Sequence, residues 1–344
     1  MQQAGVELLE DLTQAAAIGP FDAAKHLRRL RAARARLATH LAKTKPSIVL
    51  LVDFGDFNLP FVAPVAKRLG CRVVYFISPQ LWAWGRFRLR WVTRHVDRMV
   101  VLFRFEEAFY QRQGVPVTWV GHPLMDVITD APSFDRLQEE LGLNPARMTV
   151  GLLPGSRDHE IRRHLPLFLA TATRIAWQMP GVQFLVPQAS AVNARLFQSA
   201  TDHRSLNLHL CTGRFHDALR VMDAAVIASG TATVEAAVFG VPMAVVYRTS
   251  WPTYLAAWAV VRVPHIAMVN VIAGRAVVPE FVQSRATASR IANEVVDLLR
   301  NDSRAAQMRQ ALRKVTEQLG PPGAVERAAR AILDELRIST TSSY

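Results

Sequence analysis

Apolar runs of strand length alternate with helical stretches along most of the chain. Residues 47–52 (SIVLLV) and 72–77 (RVVYFI) are two such runs, and residues 61–69 between them have a helical pattern. Further predicted strands follow at residues 99–103 and 117–120. Strands that are apolar on both faces and separated by helices indicate a parallel sheet covered by helices on both sides. The pattern therefore predicts a doubly wound α/β fold.

The alternation stops at a polar stretch near residues 130–146 and then restarts. The predicted strands of the second half are residues 149–153, 183–186, 206–210, 224–227 and 243–246. We expect two doubly wound, Rossmann-like domains, residues 1–143 and 144–320, that face each other across a cleft. The last residues, 321–344, contain an amphipathic segment that we expect to pack back on the first domain as a helix. Whether it does so within one chain or between the chains of a homodimer stays open.

Composition limits the class of protein. Half of the 344 residues are apolar and 20% are charged, which is typical of a globular chain and not of a disordered one. No apolar run reaches the ~18 residues that a membrane-spanning helix needs. The first residues also lack the basic-then-apolar order of a secretory signal, so we expect a cytoplasmic protein. Cys71 and Cys211 have no metal-ligand spacing and are too few for a disulfide framework, so we expect both in the core.

The formal net charge of +13 favours anionic partners. Basic residues cluster at 25–43 and again at 82–98, where they alternate with aromatic residues. The candidates for a surface that meets membrane and acceptor are Trp82, Trp84, Arg86, Arg88, Arg90 and Trp91. Indole rings at headgroup level and arginines on lipid phosphates would suit a membrane surface. There are two alternatives: a surface that binds single-stranded nucleic acid, and a helix with its aromatic side chains turned inward. Only the net charge supports nucleic-acid binding, so we expect no nucleic-acid partner.

Two strand-to-helix turns contain glycine and hydroxyl residues. The first is LLPGSR at residues 152–157, where Gly155 allows close backbone approach, Ser156 can cap the helix and Arg157 offers a planar fork for a phosphate. At the carboxyl ends of parallel strands, helix N-termini present unpaired N–H groups and a partial positive charge. The turn therefore suits the diphosphate of a nucleotide.

The second turn is ASGTATVE at residues 228–235. Ser229, Gly230 and Thr231 supply hydroxyl and N–H groups at a helix start, and Glu235 follows one turn later, where it could accept from ribose hydroxyls. Taken alone, each turn is a weak signal, because a serine or threonine at a helix start is most often a plain N-cap, and neither turn matches the P-loop or the GxGxxG pattern. Together they predict a nucleotide-sugar site.

Six segments resemble successive signature blocks of the lipid-A-disaccharide synthases. They are LVDFGDFNLP, ISPQLWAW, FEEAFYQRQGVPVTWVGHPLMD, LLPGSR, ASGTATVEAAVFGVPMAVVYR and NVIAGRAVVPEFVQ, in the family's order between residues 45 and 285. These enzymes are GT-B-fold glycosyltransferases of the bacterial inner-membrane surface. The resemblance implies transfer of 2,3-diacylglucosamine from its UDP-activated form to the 6-hydroxyl of 2,3-diacylglucosamine 1-phosphate (lipid X). It also implies contact with anionic inner-membrane lipids, and catalysis with neither a metal nor another cofactor.

The resemblance assigns roles on the acceptor side. Asp53, in VDFGDFN, matches the position proposed as the catalytic base, and we expect Asp56 to organise the same loop. A purely structural role for both is the alternative. His122, in VGHPL, either lines the cleft as a catalytic residue or caps the loop between the domains.

On the donor side, we expect Arg157 and the Ser229 to Thr231 turn to hold the diphosphate and Glu235 to hold the ribose. A third group is predicted to bind substrate from a cleft loop in NVIAGRAVVPE, and its members are Asn270, Arg275 and Glu280.

The chain departs from the family's pattern at its beginning. Family members start with a strand, a turn of the form SAGExSGD and a helix, all before the segment that MQQAGVELL matches. We interpret the difference as either a start downstream of the true one or a shortened, inactive relative. Two further functions therefore stay open: a non-catalytic UDP-binding relative, and an enzyme like the UDP-sugar 2-epimerases, which share the two-domain architecture.

Overall fold

The chain divides into two units, each built around its own parallel sheet. The computed structural model describes residues 5–10, 23–128, 133–190, 192–197, 206–252, 254–255 and 263–341. One unit comprises Met1–Asp126 and Gly320–Tyr344, and the other comprises Val127–Leu319. The boundary predicted after residue 143 therefore falls inside the second unit.

The sheet of the first unit has four parallel strands in chain order. They are β1 (Ile48–Val52), β2 (Arg72–Phe76), β3 (Arg98–Val101) and β4 (Val117–Trp119). The helices of this part of the chain are α1 (Ala23–Thr44), α2 (Gly55–Phe57), α3 (Ala63–Arg68), α4 (Leu89–His95), α5 (Arg104–Gln111) and α6 (Leu124–Val127). A π-helical turn, Asn58–Val62, joins α2 to α3, and a 3-10 turn, Arg86–Arg88, precedes α4. Val73, Tyr75 and Met99 are fully buried in the core between this sheet and its helices.

The second sheet has six parallel strands in the order β10-β9-β8-β5-β6-β7. They are β5 (Thr149–Leu153), β6 (Gln183–Gln188), β7 (Leu208–Thr212), β8 (Ala224–Ala228), β9 (Met243–Tyr247) and β10 (Glu280–Val282). Strands β6 and β7 extend one side of β5, whereas β8 to β10 extend the other. The winding direction therefore reverses between β5 and β8.

Helices cover the second sheet and bury its apolar side chains. They are α7 (Phe134–Glu140), α8 (Asp158–Gln178), α9 (Phe215–Arg220), α10 (Ala232–Val238), α11 (Met268–Ala273), α12 (Ala288–Arg300) and α13 (Asp302–Glu317). Phe168 of α8 and Phe184 of β6 are fully buried in this core, together with Val295 of α12. The β5 strand is buried at all five positions, as its unbroken apolar sequence predicts.

The C-terminal helix α14 (Ala324–Thr341) packs on the first sheet, where it contacts β1, β2 and β3. The Asp126 carboxylate accepts the N–H groups of Gly323, Ala324 and Val325 at the start of this helix. Farther along the helix, Glu335 is 1% exposed and accepts hydrogen bonds from Arg72 of β2 and Arg98 of β3. A carboxylate at each end of the contact, of which Glu335 is the buried one, therefore fixes the position of the helix.

The predicted α/β class is confirmed, and the predicted strands all occur, with ends that differ by at most two residues. Strand β10 was not predicted, and the expected loop around residues 270–280 instead contains α11 and the start of β10. Cys71 and Cys211 are buried free thiols. Within the described ranges, no helix is long and apolar enough to cross a membrane, and no group of three His, Cys, Asp or Glu side chains could hold a metal ion.

Glu335→Gln should lower the free energy of unfolding of the first unit by roughly 2–4 kcal/mol at neutral pH, because Arg72 and Arg98 would lose their shared carboxylate. Burial alone would raise the pKa of Glu335, but the hydrogen bonds from the two arginines outweigh it and hold that pKa below its usual range. A depressed folded-state pKa stabilises the fold above the ordinary glutamate value of about 4.3, and this contribution is lost as the pH falls through the folded pKa. The deficit of the variant should therefore shrink on acidification.

Denaturant titrations of the wild type and Glu335→Gln between pH 7 and pH 3 would measure how the difference in the free energy of unfolding changes with pH. Glu326→Gln is the matched control, because Glu326 pairs with Arg330 on the exposed face of the same helix, where such pairs contribute about 0–1 kcal/mol. Equal effects of the two substitutions would contradict the anchoring role of Glu335.

Candidate functional site

The turn after β5 leads into the N-terminus of α8. Gly155 has a φ of 127°, and a Cβ there would lie 2.6 Å from the Glu160 side chain. Glu160 Oε2 accepts the Ser156 N–H at 3.0 Å, and its Oε1 lies 3.3 Å from Arg157 Nη1. The Arg157 side chain is nevertheless 64% exposed. The turn thus holds an accessible guanidinium at the positive end of a 21-residue helix.

The turn after β8 is built differently. The Ser229 N–H donates to the Val246 carbonyl at 2.8 Å, and the Ser229 hydroxyl donates to the Ile266 carbonyl at 3.2 Å. Gly230 and Thr231 are exposed. The hydroxyl of Ser229 therefore fixes the turn, while Gly230 and Thr231 are the accessible part of it.

Strands β5 and β8 are direct neighbours, with Leu153 opposite Ile227 near their carboxyl ends. The two predicted turns therefore leave the sheet side by side, on either side of the point where the winding direction reverses. In open α/β sheets, ligands bind in the crevice at this switch point. Separate sequence motifs, at residues 152–157 and 228–235, thus form one candidate site.

Glu235, predicted to accept from ribose hydroxyls, has a protein partner. Its Oε2 lies 2.8 Å from Nε2 of His216, near the start of α9. The His216 ring lies 5.5 Å from that of Phe239 and 6.0 Å from that of Phe215. Both groups of the pair stay partly exposed, so Glu235 keeps accessible oxygen surface. Sequence reasoning missed His216, because the contact joins elements that lie nineteen residues apart.

The predicted substrate-binding group at residues 270–280 is largely an internal hydrogen-bond network. Asn270 is fully buried; its Nδ2 donates to the Val278 carbonyl and to Glu280, and its Oδ1 accepts the N–H groups of Val277 and Val278. Glu280 also accepts the N–H groups of Ile266 and Ala267. All hydrogen-bonding atoms of the Asn270 side chain are thereby engaged.

The structure therefore gives Asn270 and Glu280 a positioning role. Through the Ile266 carbonyl, which accepts the Ser229 hydroxyl, they support the turn after β8. Arg275 is exposed near the end of α11 and is the member of the group that projects into solvent.

Asp53 lies in a strained turn at the carboxyl end of β1. Asp53 and Phe54 both have a φ of 46°, a left-handed conformation that costs side-chain-bearing residues roughly 1–2 kcal/mol each. The Asp53 carbonyl accepts hydrogen bonds from Tyr75 Oη at 2.5 Å and from Asn58 Nδ2 at 2.8 Å. The Asp53 carboxylate is exposed and makes no hydrogen bond to the described residues. The backbone is held tightly while the carboxylate stays available, an arrangement typical of functional sites.

Arg88 corrects one prediction about the surface of the first unit. We expected it on the surface that meets membrane and acceptor, but its side chain is only 5% exposed and forms an ion pair with Asp56, so it is not part of an open membrane-facing surface. The guanidinium lies over the Trp84 ring, 4.1 Å from its centroid. As predicted for a loop-organising residue, Asp56 uses its carboxylate on a protein partner. The basic pattern of the sequence predicts an exposed side chain at this position and does not show that this arginine points inward.

The rest of the expected surface is divided. Arg86 and Arg90 are exposed, Trp84 is 41% exposed and the neighbouring Phe87 is 64% exposed. Trp91 is half-buried and packs on the core, as the alternative of inward aromatic residues predicts.

Trp82 leads to a buried carboxyl group that sequence reasoning missed. The Trp82 side chain is half-buried and donates from Nε1 to Glu106 Oε1 at 3.1 Å. Glu106 also accepts the Phe103 N–H at the start of α5, and burial raises its pKa to about 7. A glutamate three residues after the N-cap position, where its side chain can reach back to the N-cap N–H, was the signal that could have revealed it.

His122 caps the turn that follows β4. Its Nδ1 accepts the Leu124 N–H at 3.1 Å, and its ring lies 5.4 Å from that of Phe103. Burial lowers the pKa of His122, which favours the neutral ring with its proton on Nε2. In this state the ring can donate a hydrogen bond, whereas its base nitrogen is occupied.

Comparison with known proteins fits this geometry. The family model described as Lipid-A-disaccharide synthetase matches residues 1–333. The chain is 39% identical to the lipid-A-disaccharide synthase of Geobacter metallireducens over 98% of this chain and 87% of that protein. It is 39% identical to that of Nitrosococcus oceani over 93% of this chain and 82% of the relative. The chain belongs to this family. It is a glycosyltransferase.

Solved structures show the fold. A Staphylococcus aureus MnaA structure with UDP has a TM-score of 0.62 at 13% identity, covering 96% of this chain and 82% of that one. The UDP-GlcNAc 2-epimerase of Neisseria meningitidis has a TM-score of 0.57 at 14% identity, covering 89% and 82%. At these identities the likeness concerns the GT-B fold alone, which the sequence predicted.

Asp53→Gly should raise the free energy of unfolding of the first unit by up to about 1 kcal/mol, because glycine adopts a φ of 46° without strain and the carboxylate has no partner to lose. Thermal unfolding measures this. Asp97→Gly is the contrasting control, because the Asp97 carboxylate pairs with Lys67 and accepts the Val73 N–H, so that its loss should destabilise. A destabilised Asp53→Gly protein would show that the carboxylate has a structural partner.

Proposed function

We propose that this enzyme transfers 2,3-diacylglucosamine from UDP-2,3-diacylglucosamine to the 6-hydroxyl of 2,3-diacylglucosamine 1-phosphate, forming the β-1,6-linked disaccharide 1-phosphate and UDP with inversion. Family membership supports the reaction class. The observation that carries the donor side is the adjacency of the turns after β5 and β8 at the switch point of the second sheet.

The donor's diphosphate would bind at the turn after β5. Backbone N–H groups at the start of α8 and the exposed Arg157 fork both favour an anion. The same groups would stabilise the charge that develops on the departing diphosphate. Glu235, supported by His216, is our candidate for the ribose hydroxyls, and Gly230 and Thr231 allow close backbone approach.

Inversion needs one direct displacement. In the proposed step, the Asp53 carboxylate takes the proton of the acceptor hydroxyl, the acceptor oxygen forms a bond to the anomeric carbon, and the bond from that carbon to the diphosphate breaks. The strained backbone and the free carboxylate of Asp53 support this role. His122, with Nδ1 engaged, would position a substrate oxygen through Nε2–H rather than act as the base.

Both substrates carry acyl chains, so we further propose that the enzyme acts at the cytoplasmic face of the inner membrane. Exposed Trp84, Phe87, Arg86 and Arg90 provide the mixture of aromatic and cationic side chains that anionic lipid surfaces attract. The proposed reaction assigns no step to a metal.

An assay of UDP release and product tests the function as a whole. Incubation with UDP-2,3-diacylglucosamine and the acceptor should yield UDP and a disaccharide. A UDP-linked product formed without acceptor would instead indicate an epimerase-like enzyme, and UDP binding without turnover would indicate a non-catalytic relative.

Asp53→Ala should reduce kcat by about 10²–10⁴-fold, because the acceptor proton would have no base. UDP affinity should stay within about twofold, since Asp53 lies outside the unit that holds the two turns. Steady-state kinetics and calorimetric UDP titration measure both. The isosteric Asp53→Asn variant should behave in the same way, and near-normal turnover in either variant would remove Asp53 from the role of base.

Arg157→Ala should weaken UDP binding by about 10- to 100-fold, because it removes a charge-assisted contact to the diphosphate. Arg174→Ala provides the matched control, since Arg174 is exposed on the same helix far from its N-terminus. If UDP binds both variants equally well, the diphosphate lies elsewhere.

A further inference from the structure

Arg88 is a buried cation whose hydrogen-bonding capacity is only partly used. Its Nη1 donates to Asp56, whereas Nε and Nη2 are buried and have no partner. Within the described ranges, the other buried side-chain atoms without a partner belong to Gln138 and His164. Burial lowers the pKa of His164, which leaves its ring neutral, so Arg88 is the charged member of this group. Unpaired donors on a buried charge are costly, so such a group calls for a partner from outside the chain, such as water, an ion or a ligand.

The two unused atoms lie on one edge of the guanidinium. The N–H groups of Nε and Nη2 point in parallel, which is the geometry that binds two oxygens of a phosphate or carboxylate at once. Asp56 fixes the guanidinium through Nη1, and Trp84 stacks on its face, so the orientation of the free edge is set. The edge is therefore prepared for a planar, two-point anion contact.

Gly85 lies against this edge and leaves no room there for a side chain. A Cβ at Gly85 would lie 2.7 Å from both Nε and Nη2. Gly85 has a φ of 69°, so the turn between Trp84 and Arg88 is one that glycine allows. An outward movement of this turn is the direct route by which an anion could reach the edge.

The guanidinium also lies near the turn that carries the proposed base, because it pairs with Asp56, three residues along the chain from Asp53. Burial raises the pKa of Tyr75 and Tyr110 far above the usual range, and the positive charge of Arg88 opposes that rise. The Tyr75 hydroxyl donates to the Asp53 carbonyl. An anion at Arg88 would therefore lie in the same part of the first unit as Asp53.

We propose that the Nε and Nη2 edge of Arg88 binds the phosphate of the acceptor sugar and so selects a phosphorylated acceptor. This inference rests on the proposed function, because it names the group of that acceptor that the first unit recognises. The contact is a charge-assisted pair of hydrogen bonds to a phosphate monoester. Phospholipid headgroups share this chemistry in part, so the test separates the two sources.

The test compares two acceptors on the full chain. Equilibrium binding of 2,3-diacylglucosamine 1-phosphate and of its dephosphorylated counterpart, both in neutral detergent micelles, gives a ratio of dissociation constants that does not depend on turnover. The wild type should prefer the phosphorylated acceptor, and Arg88→Gln should reduce this preference by about 10- to 100-fold. Arg88→Lys keeps the charge but not the planar fork, so its preference for the phosphorylated acceptor should lie between those of the wild type and Arg88→Gln. Arg94→Gln removes an equal charge from an exposed position of α4 and should leave the ratio unchanged.

The following outcomes decide the interpretation. If Arg88→Gln weakens both acceptors equally, the residue is structural and the proposal is wrong. If the ratio is unchanged but binding to anionic phospholipid vesicles falls, the guanidinium meets lipid and the proposal is also wrong. Calorimetric UDP titration of each variant confirms a folded second unit. A wild type that shows the phosphate preference but forms no disaccharide would contradict the proposed reaction and still support the phosphate site.

Discussion

The parallel pairing of β5 with β8 determines where the second unit can bind a ligand. This single pairing brings together chain segments about eighty residues apart and makes them neighbours at the carboxyl edge of the sheet. Each following turn then points its helix N-terminus to the same side. The polar side chains would contribute specificity, whereas the positive electrostatic character of the edge arises from the backbone N–H groups of the helix N-termini. The proposed nucleotide diphosphate would suit this edge because its charge would lie at the positive ends of two helices.

The first unit uses its backbone differently. At Asp53 the chain enters a left-handed conformation at two successive residues, and the strain is borne by hydrogen bonds from Tyr75 and Asn58 to the Asp53 carbonyl. These contacts hold the main chain without touching the carboxylate. A general base needs such an arrangement, because a carboxylate already satisfied by the protein would have to break those bonds before it could accept a proton. In the proposed reaction, the second unit would stabilise charge and the first unit would position a reactive group.

The sequence predicted most of the fold because its strands are continuous apolar runs bounded by turn residues, a pattern that depends only on local sequence. It missed β10, whose three residues, Glu280–Val282, are too short and too polar at their start to stand out. The sequence does not show the order of the strands in the sheet, and it therefore does not show that the two turns are adjacent. For the same reason Asn270 and Glu280 were predicted as ligand contacts. Their partners are backbone groups of distant residues, which a residue's own sequence neighbourhood does not show.

Two buried charged side chains of the first unit differ in how completely the protein pairs them. Glu335 and Arg88 are almost equally inaccessible, and both belong to the first unit. Glu335 receives hydrogen bonds from two arginines, so its charge is compensated within the protein and the group acts as an anchor for α14. Arg88 has one partner, the Asp56 carboxylate, which is 72% exposed, and an edge with two unused donors. Since the cost of burying a charge is offset only by complete pairing, the incompletely paired group is the one whose compensation must come from outside the chain.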